Sequence, residues 1–342
     1  MNDAVRDEWM TTTGGVSRQA YSATFPPDRF HCVLDEFPMH LVRRSVRREW
    51  KNEGEGHALR LNPECVICPA EQIPAEFASR RELLSGFALQ GTIAWVRDQT
   101  SGGLLPFWLG PESESLVRRM QTGEPLPDSA SQHERRMLEF SGVLIGETDA
   151  RERYSERQGQ IRRAARIFIE KGYTPFGDLI HPLHVAALRR YYRYMIRSGT
   201  IHLGDEQSPL RYVAHNDPVA RFFHQEIAST LSAIAGEPLK PSYVYFASYL
   251  SGSELKKHTD REQCEFSVTL CLDFSPEPEM ATPWPIKLDT PSGSVTVYQG
   301  IGDGLAYRGT KLPHCRDVLS EAQTSTSIFF HYVADHFAGP LD

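Results

Sequence analysis

The stretch Tyr249-Leu-Ser-Gly252-Ser-Glu-Leu255-Lys-Lys-His258-Thr-Asp260, residues 249–260, decides how this chain is read. Residues two apart on a strand point to the same face. His258 and Asp260 therefore present an imidazole and a carboxylate side by side. A second imidazole, His314, follows 54 residues after Asp260 in Leu312-Pro-His314-Cys-Arg316-Asp317. A closed antiparallel sheet brings that later strand across the barrel from the first. Two imidazoles and one carboxylate on one side of a metal ion leave three coordination positions open. A His-x-Asp alone occurs by chance in many chains. Its weight here comes from the distal histidine and from a segment that reads as strands throughout.

Outward from these residues the pattern has period two. Tyr243, Tyr245, Ala247 and Tyr249 share one side of a strand, and Phe266, Val268, Leu270 and Leu272 share one side of another. Short runs around Trp284, Val295, Leu305, His314 and Phe329 continue the series, divided by linkers rich in Pro, Gly, Ser and Asp. Seven or eight short strands in about a hundred residues predict a closed antiparallel barrel, a cupin-type jelly roll, over 241–342. Residues 151–240 read as helices that support it. The runs 155–172, 181–199 and 216–236 end at Gly172, Gly199 and Gly236, and Pro182 and Pro218 sit in first turns. Residues 21–150 read as an accessory α+β lobe and residues 1–20 as a flexible arm. Within the lobe, 111–146 reads first as an accessory part packed on the catalytic region; its resemblance to part of a winged-helix unit of the kind that binds leader peptides is the alternative. The fold class is thus α+β: a double-stranded β-helix with supporting helices and an N-terminal lobe.

Composition narrows the function. The 342 residues carry 37 basic and 44 acidic side chains, a net charge of −7, with 40% hydrophobic residues. Residues 241–342 hold 7 Lys/Arg against 13 Asp/Glu, which argues against nucleic acid, whose affinity comes from cations that neutralise phosphates. No apolar run is long enough to span a membrane, and the first residues show no secretory signal, so a reducing cytoplasm is expected for the six cysteines. Cys65 and Cys68 form a Cys-x-x-Cys with no second ligand pair at a matching spacing, and read as two thiols beside a turn. The helical stretch 151–197 has 11 Lys/Arg against 4 Asp/Glu, either a solvated face or a surface that attracts an acidic substrate.

Residues 241–334 resemble the catalytic core of 2-oxoglutarate/Fe(II)-dependent oxygenases, prolyl-hydroxylase-like members in particular. The resemblance rests on Tyr249-x-x-Gly252-x-x-Leu255-x-x-His258-x-Asp260 and on the run 302–317 around His314. It implies that His258, Asp260 and His314 hold Fe(II), that 2-oxoglutarate and O2 take the open positions, and that Tyr249 hydrogen-bonds the 2-oxoglutarate. Gly252 is expected at a turn where a Cβ does not fit. Many relatives grip the distal carboxylate of 2-oxoglutarate with a basic residue about ten positions after the distal histidine. Here that zone has none. Arg316, two positions after His314, is the expected anchor and Lys287 the second candidate, with Ser325 and Ser327 as helpers. A surface ion pair with Asp317 is the plainer reading of Arg316. Asp260, where radical halogenases carry a small residue, implies hydroxylation or a related oxidation of an unactivated C–H bond. A metal-dependent cupin isomerase or hydrolase, or a non-catalytic binding module, is the alternative. The expected substrate is a small molecule, an amino acid or a peptide, with a peptide or carrier-bound amino acid favoured by the extra N-terminal residues and the basic helical stretch, and with no nucleic acid and no membrane partner; the oligomeric state is not readable. His331 reads as a satisfied core histidine rather than a ligand, with orienting the co-substrate or a metal ligand as the alternative, and Trp284 as packing at the barrel mouth.

Overall fold

The computed structural model describes residues 24–34, 59–98, 102–121, 124, 126–128, 130–146, 149–206 and 208–342. The expected arm, 1–20, lies outside them.

The N-terminal part is built on strand period and helix capping. Strands β1 (Arg60–Leu61), β2 (Cys65–Pro69), β3 (Thr92–Arg97) and β4 (Leu104–Leu109) are followed by helices α1 (Pro111–Gln121) and α2 (Gln132–Phe140) and strand β5 (Leu144–Ile145). β2, β3 and β4 form one antiparallel sheet, and β5 pairs with β1 over two residues. Ser131 and Glu134 close a capping box that fixes where α2 begins. The described residues of 111–146 therefore form two helices and a two-residue strand.

Helices α3 (Asp149–Lys171), α4 (Pro182–Arg197), α5 (Pro218–Glu226) and α6 (Ala228–Ala235) occupy the expected helical stretch, but strands interrupt it. β6 (Tyr173–Phe176), β7 (His202–Leu203) and β8 (Arg211–His215) lie between the helices and join the sheet of the C-terminal region. The third predicted helix is two, broken at Ile227. Asp217 caps α5 by accepting from the amides of Val219 and Ala220, both at 3.0 Å, and the hydroxyls of Tyr191 and Tyr192 donate to the same carboxylate.

From residue 239 on the chain is strand: β9 (Leu239–Tyr249), β10 (Leu255–His258), β11 (Phe266–Ser275), β12 (Ile286–Thr290), β13 (Gly293–Val297), β14 (Gly304–Tyr307), β15 (His314–Arg316) and β16 (Thr324–Ala334). Together with β6, β7 and β8 they form two antiparallel sheets, one of seven strands in the order β6-β14-β11-β16-β9-β8-β7 and one of four in the order β10-β15-β12-β13. Alternation assigns the faces. Val268, Leu270 and Leu272 on β11, with Ile328, Phe330 and Tyr332 on β16, join one buried cluster with the helices and the N-terminal sheet. Leu305 and Tyr307 on the opposite face of β14 pack against Ile286, Leu288 and Val297 of the four-stranded sheet. Tyr249, Ala247, Phe274 and Trp284 make a third cluster. One hydrophobic core thus runs from Phe25 to Tyr332, and the space between the two sheets is lined separately.

Two polar contacts tie the layers. Arg189 and Arg193 of α4 both bind Asp273 at the end of β11, with Arg189 Nη2 at 2.7 Å and Arg193 Nε at 2.6 Å. Glu226, at the end of α5, is 5% exposed beside Arg80 at 3.4 Å; burial pushes its carboxyl up to about 7, and the Arg80 charge offsets this only in part. Among the described residues no helix is long and apolar enough to cross a membrane.

Candidate metal centre

The two histidines are brought together by strand pairing. β10 and β15 are neighbours in the four-stranded sheet rather than facing strands, and His258 lies directly opposite His314 in the ladder. Their ring centroids are 4.4 Å apart. Asp260, just past the end of β10, places Oδ1 3.6 Å from His258 Nε2 and 3.5 Å from His314 Nε2. The three side chains offer one ligand atom each within 4.8 Å of one another. His314 is 2% exposed and His258 40%, so the centre opens to solvent on the His258 side.

The ring protons are settled by hydrogen bonds. His258 Nδ1 lies 2.8 Å from the Lys256 carbonyl, and His314 Nδ1 3.0 Å from the Leu312 carbonyl. A carbonyl only accepts, so both Nδ1 atoms carry hydrogen, and both Nε2 atoms aim at Asp260, as lone pairs when a ring is neutral and as N–H donors when it is protonated. Two lone pairs and a carboxylate converging on one point need positive charge between them. Burial of Asp260 opposes its ionisation, but the bonds from His258 and His314 outweigh it and hold the carboxyl well below the usual range. The hydrogen bond to Asp260 conversely raises the His258 pKa. The donor set, two imidazole nitrogens and one carboxylate with room left over, suits a divalent transition metal such as Fe(II).

The other oxygen of Asp260 is also held. Ser267 Oγ donates to Oδ2 at 2.7 Å and lies 2.9 Å from His331 Nδ1. Because the serine hydrogen goes to the carboxylate, His331 Nδ1–H donates to the serine. Burial lowers the His331 pKa to about 4, so this ring is neutral. Gly309 forms the wall behind the carboxylate. Its carbonyl accepts from the Asp260 amide at 2.9 Å, and a Cβ there would lie 2.7 Å from Ser267 Oγ and closer still to Asp260 Oδ2 and the Cys264 carbonyl. Ser267 and Gly309 carry no sequence signal beyond lying in strand and turn. Gly252, by contrast, has φ 84° with only Leu210 near its missing Cβ, so the left-handed backbone and not lack of space requires glycine.

Arg316 shares the inner face of β15 with His314 and is 5% exposed. It donates to the Trp284 carbonyl at 2.5 Å and to Gln299 Oε1 at 3.2 Å, and its guanidinium sits 4.8 Å from the Trp284 ring centroid. Among the described residues no carboxylate pairs with it. A buried guanidinium without a counter-charge is a costly arrangement, relieved by an anion. Asp317 pairs instead with Lys287 at 2.6 Å. Lys287 lies opposite Cys315 in the ladder, one position out of phase with His314, and so leaves the inner face for the exposed one. The two anchor candidates therefore separate: Arg316 faces the centre and Lys287 does not.

Tyr249 is 2% exposed, packs edge-on against Trp284 at 5.1 Å, and stands opposite Ser325 in the ladder; Ser327 stands opposite Ala247 on the same face. Thr269 Oγ1, fully buried on the inner face of β11, has no hydrogen-bond partner among the described residues. Arg211 of β8, which sequence reading passes over, donates to Tyr249 Oη at 3.4 Å.

No protein-family model matches the chain, and no curated protein matches it in sequence. About half of it is similar to solved structures. One is the non-heme alpha ketoglutarate dependent epimerase SnoN from nogalamycin biosynthesis: 14% identity, 52% of this chain, 82% of that chain, TM-score 0.44. Another is a Pseudomonas putida prolyl-4-hydroxylase: 14% identity, 50% and 98% covered, TM-score 0.41. A third is HygX from Streptomyces hygroscopicus, solved with nickel, 2-oxoglutarate and hygromycin B: 13% identity, 52% and 88% covered, TM-score 0.42.

Proposed function

We propose that the protein is a 2-oxoglutarate- and Fe(II)-dependent dioxygenase that hydroxylates an unactivated C–H bond of a small molecule, and that its two facing sheets are a double-stranded β-helix. The observation that carries this reading is the pair of features two residues apart on β15. His314 points at His258 and Asp260, and Arg316 is buried without a carboxylate partner among the described residues. Residues i and i+2 of a strand are about 6.6 Å apart. A five-carbon oxo-diacid spans such a gap, with its oxo-acid end at the metal and its far carboxylate on the guanidinium.

His258, Asp260 and His314 would hold the iron. Bound Fe(II) would supply the redox chemistry by which O2 oxidises 2-oxoglutarate to succinate and carbon dioxide while the substrate C–H bond is hydroxylated. The chain's own residues do the rest. Arg316 grips the distal carboxylate in a two-pronged geometry that lysine lacks. Ser267 and His331 fix one oxygen of Asp260, so that the other faces the metal. Trp284, 3% exposed beneath the guanidinium, keeps water from the anion and strengthens its pairing. The filled aspartate position favours hydroxylation or desaturation. The metal-dependent isomerase or hydrolase alternative shares the three ligands but leaves Arg316 without a task.

Anaerobic loading with Fe(II) and 2-oxoglutarate followed by oxygen tests the reading. Succinate should form only when iron, 2-oxoglutarate and oxygen are all present. A chain that binds iron but neither binds nor turns over 2-oxoglutarate belongs to the alternative. A panel of small molecules, free amino acids and peptides, scored for coupled succinate formation, separates the substrate classes. Deleting 111–146 tests the leader-peptide reading: it should abolish action on a peptide precursor and spare uncoupled 2-oxoglutarate turnover.

A further inference from the structure

Tyr249 hides a detail that its hydroxyl partner reveals. Arg211 has only donors to offer, so in the Arg211 Nη1–Tyr249 Oη contact at 3.4 Å the phenol oxygen accepts. The phenol hydrogen is then left over, and among the described residues it meets no acceptor. The neighbouring tyrosine behaves differently: Tyr245 Oη donates its hydrogen to Asp205 Oδ2 at 2.6 Å. Asp205 also takes Arg211 in a two-pronged pair, Nε at 3.0 Å and Nη2 at 2.5 Å. Those bonds outweigh the burial of Asp205 and keep its carboxyl ionised. Arg211 is 4% exposed, and its guanidinium lies over both rings, 5.6 Å from the Tyr245 centroid and 5.8 Å from that of Tyr249. One carboxylate on the loop between β7 and β8 therefore fixes one guanidinium, and the guanidinium fixes which way the Tyr249 hydroxyl can act.

We propose that Arg211, locked by Asp205, is a positioning residue that commits the Tyr249 hydroxyl to donating its hydrogen to the bound co-substrate. The inference rests on the 2-oxoglutarate reading above. Tyr249 would meet the anion as a donor, alongside Arg316, and a phenol whose oxygen already accepts from a cation is the stronger donor. The 3.4 Å contact is long for a hydrogen bond; such contacts commonly tighten when the ligand arrives. Without Arg211 the Tyr249 hydroxyl turns freely and can present its lone pairs to the anion.

The test is a double-mutant cycle on the full-length protein loaded with Mn(II), titrated with 2-oxoglutarate by calorimetry. Tyr249→Phe and Arg211→Lys should each weaken 2-oxoglutarate about tenfold, the worth of one charge-assisted hydrogen bond. The double variant should be no weaker than Tyr249→Phe alone, and Mn(II) affinity should stay at the wild-type value in all three. Asp205→Asn, which frees the guanidinium without removing it, should shift 2-oxoglutarate affinity in the same direction, and it replaces Arg211→Lys if that variant does not fold. Additive losses near a hundredfold, a change in Mn(II) affinity, or unchanged 2-oxoglutarate binding in Arg211→Lys overturns the positioning role. Wild-type protein that binds Mn(II) but not 2-oxoglutarate overturns the functional reading itself, and the inference with it.

Discussion

Replacing Gly309 by alanine adds one methyl group at the back of the metal centre. Gly309 is not among the residues with positive φ, so alanine meets no conformational penalty there and the cost is steric. The new Cβ would sit 2.7 Å from Ser267 Oγ, nearer still to Asp260 Oδ2, and against the Cys264 carbonyl, where ordinary contacts begin at 3.4 Å. Backbone cannot yield easily on either side. The Gly309 amide donates to the Glu265 carbonyl at 3.0 Å, and the Gly309 carbonyl accepts from the Asp260 amide at 2.9 Å. The movable neighbours are the Ser267 hydroxyl and the Asp260 carboxylate, which must retreat by roughly an ångström, whereas metal–ligand distances tolerate only about 0.2 Å. Overpacking of this kind costs about 1–3 kcal/mol of stability. Disturbing the support of a metal ligand lowers affinity about 10–100-fold. Calorimetric titration with Mn(II) and thermal unfolding measure the two effects. Gly159→Ala is the control. It lies inside α3 with only the ends of Arg162 and Arg163 nearby, and should gain about 0.5–1 kcal/mol. Wild-type Mn(II) affinity in Gly309→Ala would refute the claim that the carboxylate is wedged against this glycine to serve as a ligand.

Other consequences follow from the same residues. Arg316→Met should weaken 2-oxoglutarate about a hundredfold while leaving Mn(II) binding intact, because a buried charge-assisted pair is lost and not a ligand; Lys287→Ala should change neither, since its ion pair with Asp317 is on the exposed face. Glu226 makes stability depend on pH. Its carboxyl is raised from 4.5 to about 7 in the folded chain, so its contribution is fully present below pH 4.5 and is lost as pH rises through 7, about 3 kcal/mol at most. Glu226→Gln should therefore be more stable than wild type at pH 8, with the advantage shrinking toward pH 5, as read by urea denaturation at each pH.

Much of the centre was legible because a strand repeats every two residues. His314 with Arg316, and the tyrosines of β9, could be put on shared faces from spacing alone, and the structure puts them there; Asp260 meets His258 from just past the end of β10 rather than from within the strand. What spacing cannot give is which strands lie next to each other. β10 and β15 are hydrogen-bonded neighbours, not strands facing each other across a barrel, and β6, β7 and β8 leave the helical stretch to extend the seven-stranded sheet. Their sequences are short, and β7 and β8 lie at the edge of the sheet, with side chains only partly buried, so neither alternation nor hydrophobicity marks them. Arg211 was invisible for that reason: its importance comes from Asp205, six residues away round a loop, and from Tyr249, 38 residues on. Ser267 and Gly309 escaped because a serine on a polar strand face and a glycine in a turn look the same whether or not a carboxylate leans on them.

The central claim is that His258, Asp260 and His314 together grasp one divalent iron. Anaerobic equilibrium dialysis with Fe(II), followed by metal analysis of the protein, measures this directly in wild type, His258→Ala and His314→Ala. The account predicts one iron per wild-type chain and essentially none in either variant at the same free iron concentration, with both variants folded by circular dichroism. Iron retained in full by a folded His314→Ala chain, or absent from wild type, would contradict it.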